Sequence, residues 1–295
     1  MSAIIRWILI CVGFILVALA FMAAWPLQRA AGGEAGTAFV LAANPIVAAV
    51  AVLAAMLVGS IIAVSLARLV TPMTGLAVLG AGMAWAAMDL GTIRPVIASG
   101  DAGLLAVDGM VWTIAVLLVS WMALCTSHPM RHMKFSWGEF INFVPMRQVE
   151  VHQPADGPID PLRSPEALRV LALGLAAIPI VWLIAASEFR GQTILATTLG
   201  AYGSAMLVRF VAPGVTPVLL PVGVVLAGTL AGWVSGVFEL PEAVASIWAK
   251  GQVPRLILPL PIDWAAGALL GTAVGYGAFW SIDEAEANAP RAAAG

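Results

Sequence analysis

The sequence predicts an all-α integral membrane protein, a polytopic bundle of about eight transmembrane helices. Of its 295 residues, 61% are hydrophobic and only 10% are charged, and the mean hydropathy is +0.99. Soluble domains carry roughly 25% charged residues. The apolar residues form runs of about 20, the length that an α-helix needs to cross a bilayer. The strands of a membrane barrel would instead alternate apolar and polar residues over about 10 positions.

Eight apolar runs are predicted spans: residues 7–27, 45–67, 72–90, 104–124, 167–187, 191–212, 217–238 and 263–281. The first run is too long for the core of a signal peptide, so we expect an uncleaved anchor. Four helix starts carry a capping side chain followed by proline, whose missing N–H would be unpaired in the first turn anyway. These starts are Asn44-Pro45, Thr71-Pro72, Ser164-Pro165 and Thr216-Pro217.

The spans fall into two halves of four, residues 1–125 and 167–282, joined by a polar linker at 126–166. The segment "ARLVTP" at 67–72 resembles "VRFVAP" at 208–213. Two interpretations stay open. In the first, the two halves are a parallel internal repeat, as in some transporters. In the second, the two segments are alike only because both are short cytoplasmic turns, which favour arginine and proline. Residues 283–295 are acidic and rich in alanine, and we expect a disordered tail.

The basic residues predict the orientation. An even number of spans places both termini on one side, together with nine basic residues: Arg6, Arg68, Arg131, Lys134, Arg147, Arg163, Arg169, Arg209 and Arg291. The other side has five: Arg29, Arg94, Arg190, Lys250 and Arg255. Cytoplasmic loops are enriched in lysine and arginine, so both termini are expected to be cytoplasmic. Frequent alanine, glycine and arginine with only two lysines is typical of a high-GC bacterium, which predicts an inner-membrane location.

The linker contains a predicted amphipathic helix. Ser136 and Glu139 form a capping box, and four apolar residues then share one helical face: Trp137, Phe140, Ile141 and Val144. Basic residues flank the segment. The pattern is typical of a helix lying in the cytoplasmic membrane interface, although the same face could dock a partner protein.

Metal, cofactor and catalytic motifs are weak. Cys125, His128 and His132 have ligand-type side chains, but they do not form the paired spacing of a structural zinc site. All three histidines lie in the linker, so no span offers a haem ligand. We therefore expect no cofactor and no metal, with this trio as a weak candidate only. A net charge of -2 gives no indication of nucleic-acid binding.

Two groups of residues are candidates for binding. Asp89, Arg94 and Asp108 lie near the outer ends of two spans, where they could form a pocket for a cation or zwitterion. The simpler interpretation is that they contact lipid headgroups. In the sixth span, polar side chains form a stripe that could line a solute path or pack helices: Thr193, Thr197, Tyr202 and Ser204.

The last two spans carry glycines at every fourth position, which favours close helix packing: Gly228, Gly232 and Gly236, then Gly267, Gly271 and Gly275. Three functions stay open. A permease or channel for a small solute predicts a polar cavity ringed by the second, fourth, sixth and eighth spans. A non-catalytic subunit or assembly factor of a larger membrane complex predicts dry packing. An intramembrane enzyme lacks any catalytic motif in this sequence. The expected partners are the bilayer and, in either non-enzymatic case, other subunits or copies of this chain.

Overall fold

The computed structural model describes residues 3–29, 39–70, 72–91, 103–127, 165–211, 219–250 and 255–292. Within these ranges the chain forms nine α-helices and no β-strand. The helices are α1 (Ala3–Ala24), α2 (Pro45–Leu69), α3 (Pro72–Ala87), α4 (Gly103–Ser127), α5 (Pro165–Leu173), α6 (Ala177–Ile184), α7 (Arg190–Val211), α8 (Leu219–Lys250) and α9 (Pro261–Ala292). The prediction of an all-α fold is confirmed.

Five helical segments of the described chain are long and apolar enough to cross a membrane: Ile4–Gln28, Pro45–Leu69, Gly103–Ser120, Arg190–Val211 and Leu219–Phe238. Two further apolar helical segments, Met73–Ala87 and Leu168–Ile184, are shorter. These helices are compatible with a membrane location. The count of eight spans stays a prediction, although helical residues occupy each of the eight predicted ranges.

The start of α2 shows how local chemistry fixes a helix boundary. The side chain of Asn44 accepts a hydrogen bond from the backbone N–H of Val47 at 3.2 Å, and Pro45 is the first helical residue. This is the predicted arrangement of a capping side chain followed by proline. It satisfies one of the backbone donors that the first turn of a helix leaves unpaired.

The predicted fifth span differs from a single helix. It consists of α5 and α6, separated by a 3-10 turn at Gly174–Ala176. Pro179 lies in the first turn of α6 and has no N–H to donate to the carbonyl of Leu175, so a continuous α-helix would lose a bond there. Gly174 also lies against the backbone of Gly223 in α8, so closely that an added Cβ would overlap it.

The last two helices are longer than predicted. α8 runs without a break to Lys250, and α9 runs to Ala292 through most of the segment expected to be a disordered tail. Residues 283–292 are rich in alanine and glutamate, which have high helix propensity. The acidic, alanine-rich composition on which the disorder prediction rested is also compatible with a helix that continues an existing one.

α9 is the central helix of the bundle. It packs most extensively against α7 and then against α3, with further contacts to α8 and α4. α1, α2 and α3 pack against one another, and α8 packs along α4. The division into two four-helix halves stays a prediction; α9 contacts helices from both of the predicted halves.

Glycines permit the closest helix approaches around α9. A Cβ added at Gly271 would overlap the backbone carbonyl of Thr198, and one at Gly267 would overlap the side chain of Thr197. On α8, Gly228 lies directly against the indole ring of Trp264, which is almost fully buried. The expectation that these ladders mediate close packing is confirmed at these positions. Gly232 differs, because the carbonyl oxygen of Leu256 would lie 3.6 Å from a new methyl group, an ordinary van der Waals distance.

Large apolar side chains also cover the outside of the bundle. Trp7 on α1 and Ile46 on α2 are mostly exposed, as are apolar residues on the outer faces of α7 and α8. Such surfaces are unfavourable in water but match the acyl chains of a bilayer. The interior and the exterior of this bundle are therefore both apolar.

Candidate functional site

The buried charged residues of the described chain gather at one end of the bundle. α1 and α3 end there, and α2, α4, α7 and α9 begin there. The three are Asp108 in α4, Arg190 at the start of α7 and Asp263 in the first turn of α9. Buried charges are costly unless they are paired or bind a ligand, so this end of the bundle is the candidate functional site.

Arg190 and Asp263 form a buried ion pair. Nη1 of Arg190 lies 2.7 Å from Oδ2 of Asp263. The same guanidinium donates from Nε and Nη2 to the carbonyl of Gly91, at 3.0 and 2.6 Å. Gly91 follows α3, so one side chain connects the ends of α3, α7 and α9. The planar guanidinium suits this role because it presents several donors in fixed directions.

Asp263 also organises the start of α9. Its Oδ2 accepts a hydrogen bond from the backbone N–H of Leu260 at 2.9 Å and lies 2.9 Å from Oγ1 of Thr193. Leu260 precedes the first helical residue, so Asp263 reaches back to the N-cap as the third residue of a capping box does. The ion pair with Arg190 was not expected, because the sequence placed Arg190 in an outer loop.

Part of the predicted polar stripe on α7 packs against α9. Oγ1 of Thr197 lies 2.8 Å from the backbone carbonyl of Asp263 and is fully buried. Ser204 is also buried, and Tyr202 is half-buried with its ring near Gly275 of α9. Of the two interpretations of the stripe, this geometry favours helix packing over a solute path.

Asp108 lies in a different environment from the ion pair. It faces a small cavity together with Gln28, which ends the first helical segment. The remaining lining is apolar: Phe39, Val52, Leu90, Trp112 and Ile262. The centre of a water molecule can lie anywhere within about 10 Å³ of this cavity. A single water requires about that volume. Among the described residues, neither Oδ1 of Asp108 nor Nε2 of Gln28 has a hydrogen-bond partner, although both atoms are buried.

The cavity differs from the pocket predicted for Asp89, Arg94 and Asp108. Asp89 is exposed in the turn after α3 and does not line the cavity, while Arg94 lies outside the described residues. Gln28 lines the cavity with Asp108, and the pocket of Asp89, Arg94 and Asp108 stays a prediction. Sequence reasoning missed Gln28 because an uncharged amide at the end of an apolar run is unremarkable by composition.

The linker candidates cannot be placed on this site. The predicted amphipathic face and two of the three weak metal candidates lie outside the described residues: Trp137, Phe140, Ile141, Val144, His128 and His132. Cys125 belongs to α4. Within the described ranges, no three histidine, cysteine, aspartate or glutamate residues come close enough to hold a metal ion.

The site thus has two parts, an ion pair that connects three helices and a neighbouring cavity with one unpaired carboxylate oxygen. Leu90 and Ile262 line the cavity while their chain neighbours, Gly91 and Asp263, belong to the ion-pair network. Comparisons of this chain with protein-family models, curated proteins and solved structures find no match.

Proposed function

We propose that the protein is a multi-pass protein of the bacterial inner membrane that acts as a permease or channel for a small solute. The observation that carries the proposal is the buried carboxylate of Asp108, which faces a cavity and has no described protein partner for Oδ1. An ionisable side chain inside a membrane helix is costly. Such a residue is retained more readily where it binds something than where it only fills space.

The excess of basic residues on the side of the termini supports cytoplasmic N- and C-termini. With that orientation the cavity lies toward the outer face of the membrane, beside the starts of α2, α4 and α9. A solute arriving from outside would meet Asp108 after passing roughly one helical turn of α4. Asp108 is the sixth residue of that helix.

The size of the cavity limits the substrate class. Its space is about that of one water molecule, which supports a small inorganic ion over a metabolite. The hydroxyls of Thr193 and Thr197 are engaged with α9, so the proposed path does not follow α7. It follows the interface of α2 and α4 beside Gln28, which lies in the short turn after α1, because residues of these segments line the cavity.

The test is flux in reconstituted vesicles. The purified chain would be inserted into liposomes and assayed for uptake of Na⁺, K⁺ and ammonium, with Asp108→Asn as the variant and Asp89→Asn as its matched control. Both substitutions remove one carboxylate charge, but Asp89 is exposed and lies outside the cavity. We expect at least one ion to be taken up, with uptake at least tenfold lower in Asp108→Asn only. Equal uptake by both variants would remove Asp108 from the site.

A second candidate function is a non-catalytic subunit or assembly factor of a larger membrane complex. The packing of α7 against α9 favours it, because the buried hydroxyls of Thr193 and Thr197 bond to Asp263 of α9 instead of facing a cavity. Purification in a mild detergent at native expression level, followed by mass spectrometry, distinguishes the two candidates. A stoichiometric membrane partner together with no ion flux would favour the subunit.

A further inference from the structure

Asp108 and Gln28 place two polar atoms on one small cavity in an otherwise apolar part of the bundle. Asp108 is 2% exposed and Gln28 is 5% exposed, and both line the cavity described above. Oδ1 of Asp108 and Nε2 of Gln28 are buried and have no hydrogen-bond partner among the described residues. Buried polar atoms in folded proteins almost always have a partner, so we expect the cavity to hold a molecule that bonds to both.

The two atoms have complementary hydrogen-bonding character. Nε2 of Gln28 donates, and a carboxylate oxygen accepts. The two atoms do not bond to each other, so a molecule between them must accept from Gln28 and donate to Asp108. Water does both. Because water can also accept from a protonated carboxyl group, it suits Asp108 in either protonation state.

The size and the lining of the cavity also fit a single water. The cavity has room for about one water molecule. Buried waters make two to four hydrogen bonds to polar groups, and the two side chains supply the first two. Cavities that stay empty are lined by apolar groups alone, which is not true of this one.

The cavity lies where the first helical segment meets α4. Gln28 ends the 3-10 turn Trp25–Gln28 that follows α1, and Asp108 belongs to α4. Trp112, one turn further along α4, lines the cavity and stacks on Phe21 of α1, with ring centroids 6.3 Å apart. A molecule bonded to Gln28 and Asp108 would therefore join the same two segments by hydrogen bonds, beside the contact between the aromatic rings.

We infer that Asp108 and Gln28 form a binding site for one water molecule, which connects the turn after α1 to α4. The water accepts a hydrogen bond from Nε2 of Gln28 and donates one to Oδ1 of Asp108. The inference goes beyond the proposed function and does not depend on it, because the water satisfies both buried atoms whether or not the protein transports a solute. A solute that binds Asp108 would have to displace this water.

The direct test is a crystal structure of the unmodified full chain, grown from a lipid phase, at a resolution that shows ordered waters. We expect one density peak in the cavity, within hydrogen-bond distance, roughly 2.5–3.2 Å, of both Oδ1 of Asp108 and Nε2 of Gln28. An empty cavity or a direct hydrogen bond between the two side chains would overturn the inference. A metal ion, or a protein group from elsewhere in the chain, in place of the water would overturn it as well.

A double-mutant cycle tests the same inference by stability. Gln28→Leu and Asp108→Leu each replace one polar group by an apolar one and leave the other polar atom without a partner, which is costly. We expect each single variant to lower the SDS fraction at the unfolding midpoint. The double variant should lower it by clearly less than the sum of the two shifts, because neither unpaired atom remains. Additive shifts would overturn the inference, since the two groups would then have separate partners. If Asp108→Leu does not fold, the crystal structure of the unmodified chain decides the question.

Gln192→Leu is the matched control for the cycle. Gln192 is half-buried and donates from Nε2 to the carbonyl of Ile184 at 2.7 Å, and it does not line the cavity. Because Gln192 shares no bonding partner with Asp108, its effect should add to that of Asp108→Leu. Coupling as large in this control pair as in the pair of Gln28 and Asp108 would overturn the inference.

The water site and the permease fail separately. An ordered water in the cavity without ion flux in vesicles would keep the site and remove the permease. Ion flux lost in Asp108→Asn, together with a cavity that holds no water, would keep the permease and overturn the water site.

Discussion

Neutralising Asp263 measures how much the buried ion pair contributes to the stability of the bundle. In Asp263→Asn the side chain keeps its shape and an oxygen that can accept from Leu260 and Thr193, so the main loss is the negative charge facing Arg190. Arg190 is only 8% exposed. Removing one partner of a buried pair costs about 3–5 kcal/mol, because the remaining charge is left uncompensated.

The double variant separates the interaction energy of the ion pair from the energies of the other contacts that each side chain makes. Arg190→Met alone leaves the fully buried Asp263 carboxylate without its counter-charge, and we again expect a loss of about 3–5 kcal/mol. In Arg190→Met combined with Asp263→Asn neither charge remains, and replacing a buried pair by neutral groups is often nearly without cost. We expect the double variant to lose about 1–2 kcal/mol, mainly from the lost hydrogen bonds to Gly91.

The assay is equilibrium unfolding in mixed detergent micelles with increasing SDS, followed by tryptophan fluorescence. Arg255→Met is the control, because Arg255 is exposed and lies over the Trp182 ring with a long contact of 3.4 Å to its carbonyl. Exposed contacts of this kind contribute roughly 0–1 kcal/mol. Single-variant losses below about 1 kcal/mol that add up in the double variant would refute the reasoning, since no coupling would remain.

Two further predictions concern packing and membrane placement. Gly228→Ala should lower the free energy of unfolding in the same assay by about 1–3 kcal/mol through overpacking against Trp264. Gly232→Ala is the control and should change the free energy of unfolding little, because there is room for a methyl group at Gly232. Equal effects of the two substitutions would count against the close contact between Gly228 and Trp264. Cys11 is exposed near the middle of α1. In a Cys125→Ser background we expect a membrane-impermeant maleimide to label Cys11 in SDS and not in intact vesicles, because a polar reagent does not enter the hydrocarbon core of the bilayer. Rapid labelling in vesicles would place Cys11 in water.

Local chemistry made much of the fold predictable. The start of α2 was predicted because Asn44 and Pro45 act within one turn. The break between α5 and α6 follows from Pro179 and Gly174, which the sequence displays, but the long apolar run around them hid it. The packing partners of α9 were not predictable, because a glycine ladder indicates a close approach without indicating to which helix.

The site was predictable only in part, for a related reason. Asp108 was identified because a charge inside an apolar run is conspicuous in the sequence. Arg190 and Asp263 lie 73 residues apart in the chain, and each by itself resembles an ordinary residue at a helix start. Gln28 carries no net charge, so its burial next to Asp108 became visible only in three dimensions.

The central position of α9 has a consequence for biogenesis. α9 leaves the ribosome after the other described helices, yet it supplies the counter-charge for Arg190 and covers the closely packed face of α7. Until α9 is inserted, an incomplete chain holds an uncompensated guanidinium and a glycine-lined helix surface that other membrane proteins could occupy. We expect translation products that stop before residue 261 to be recognised by membrane proteases and degraded, so that α9 acts as a checkpoint for completion of the bundle.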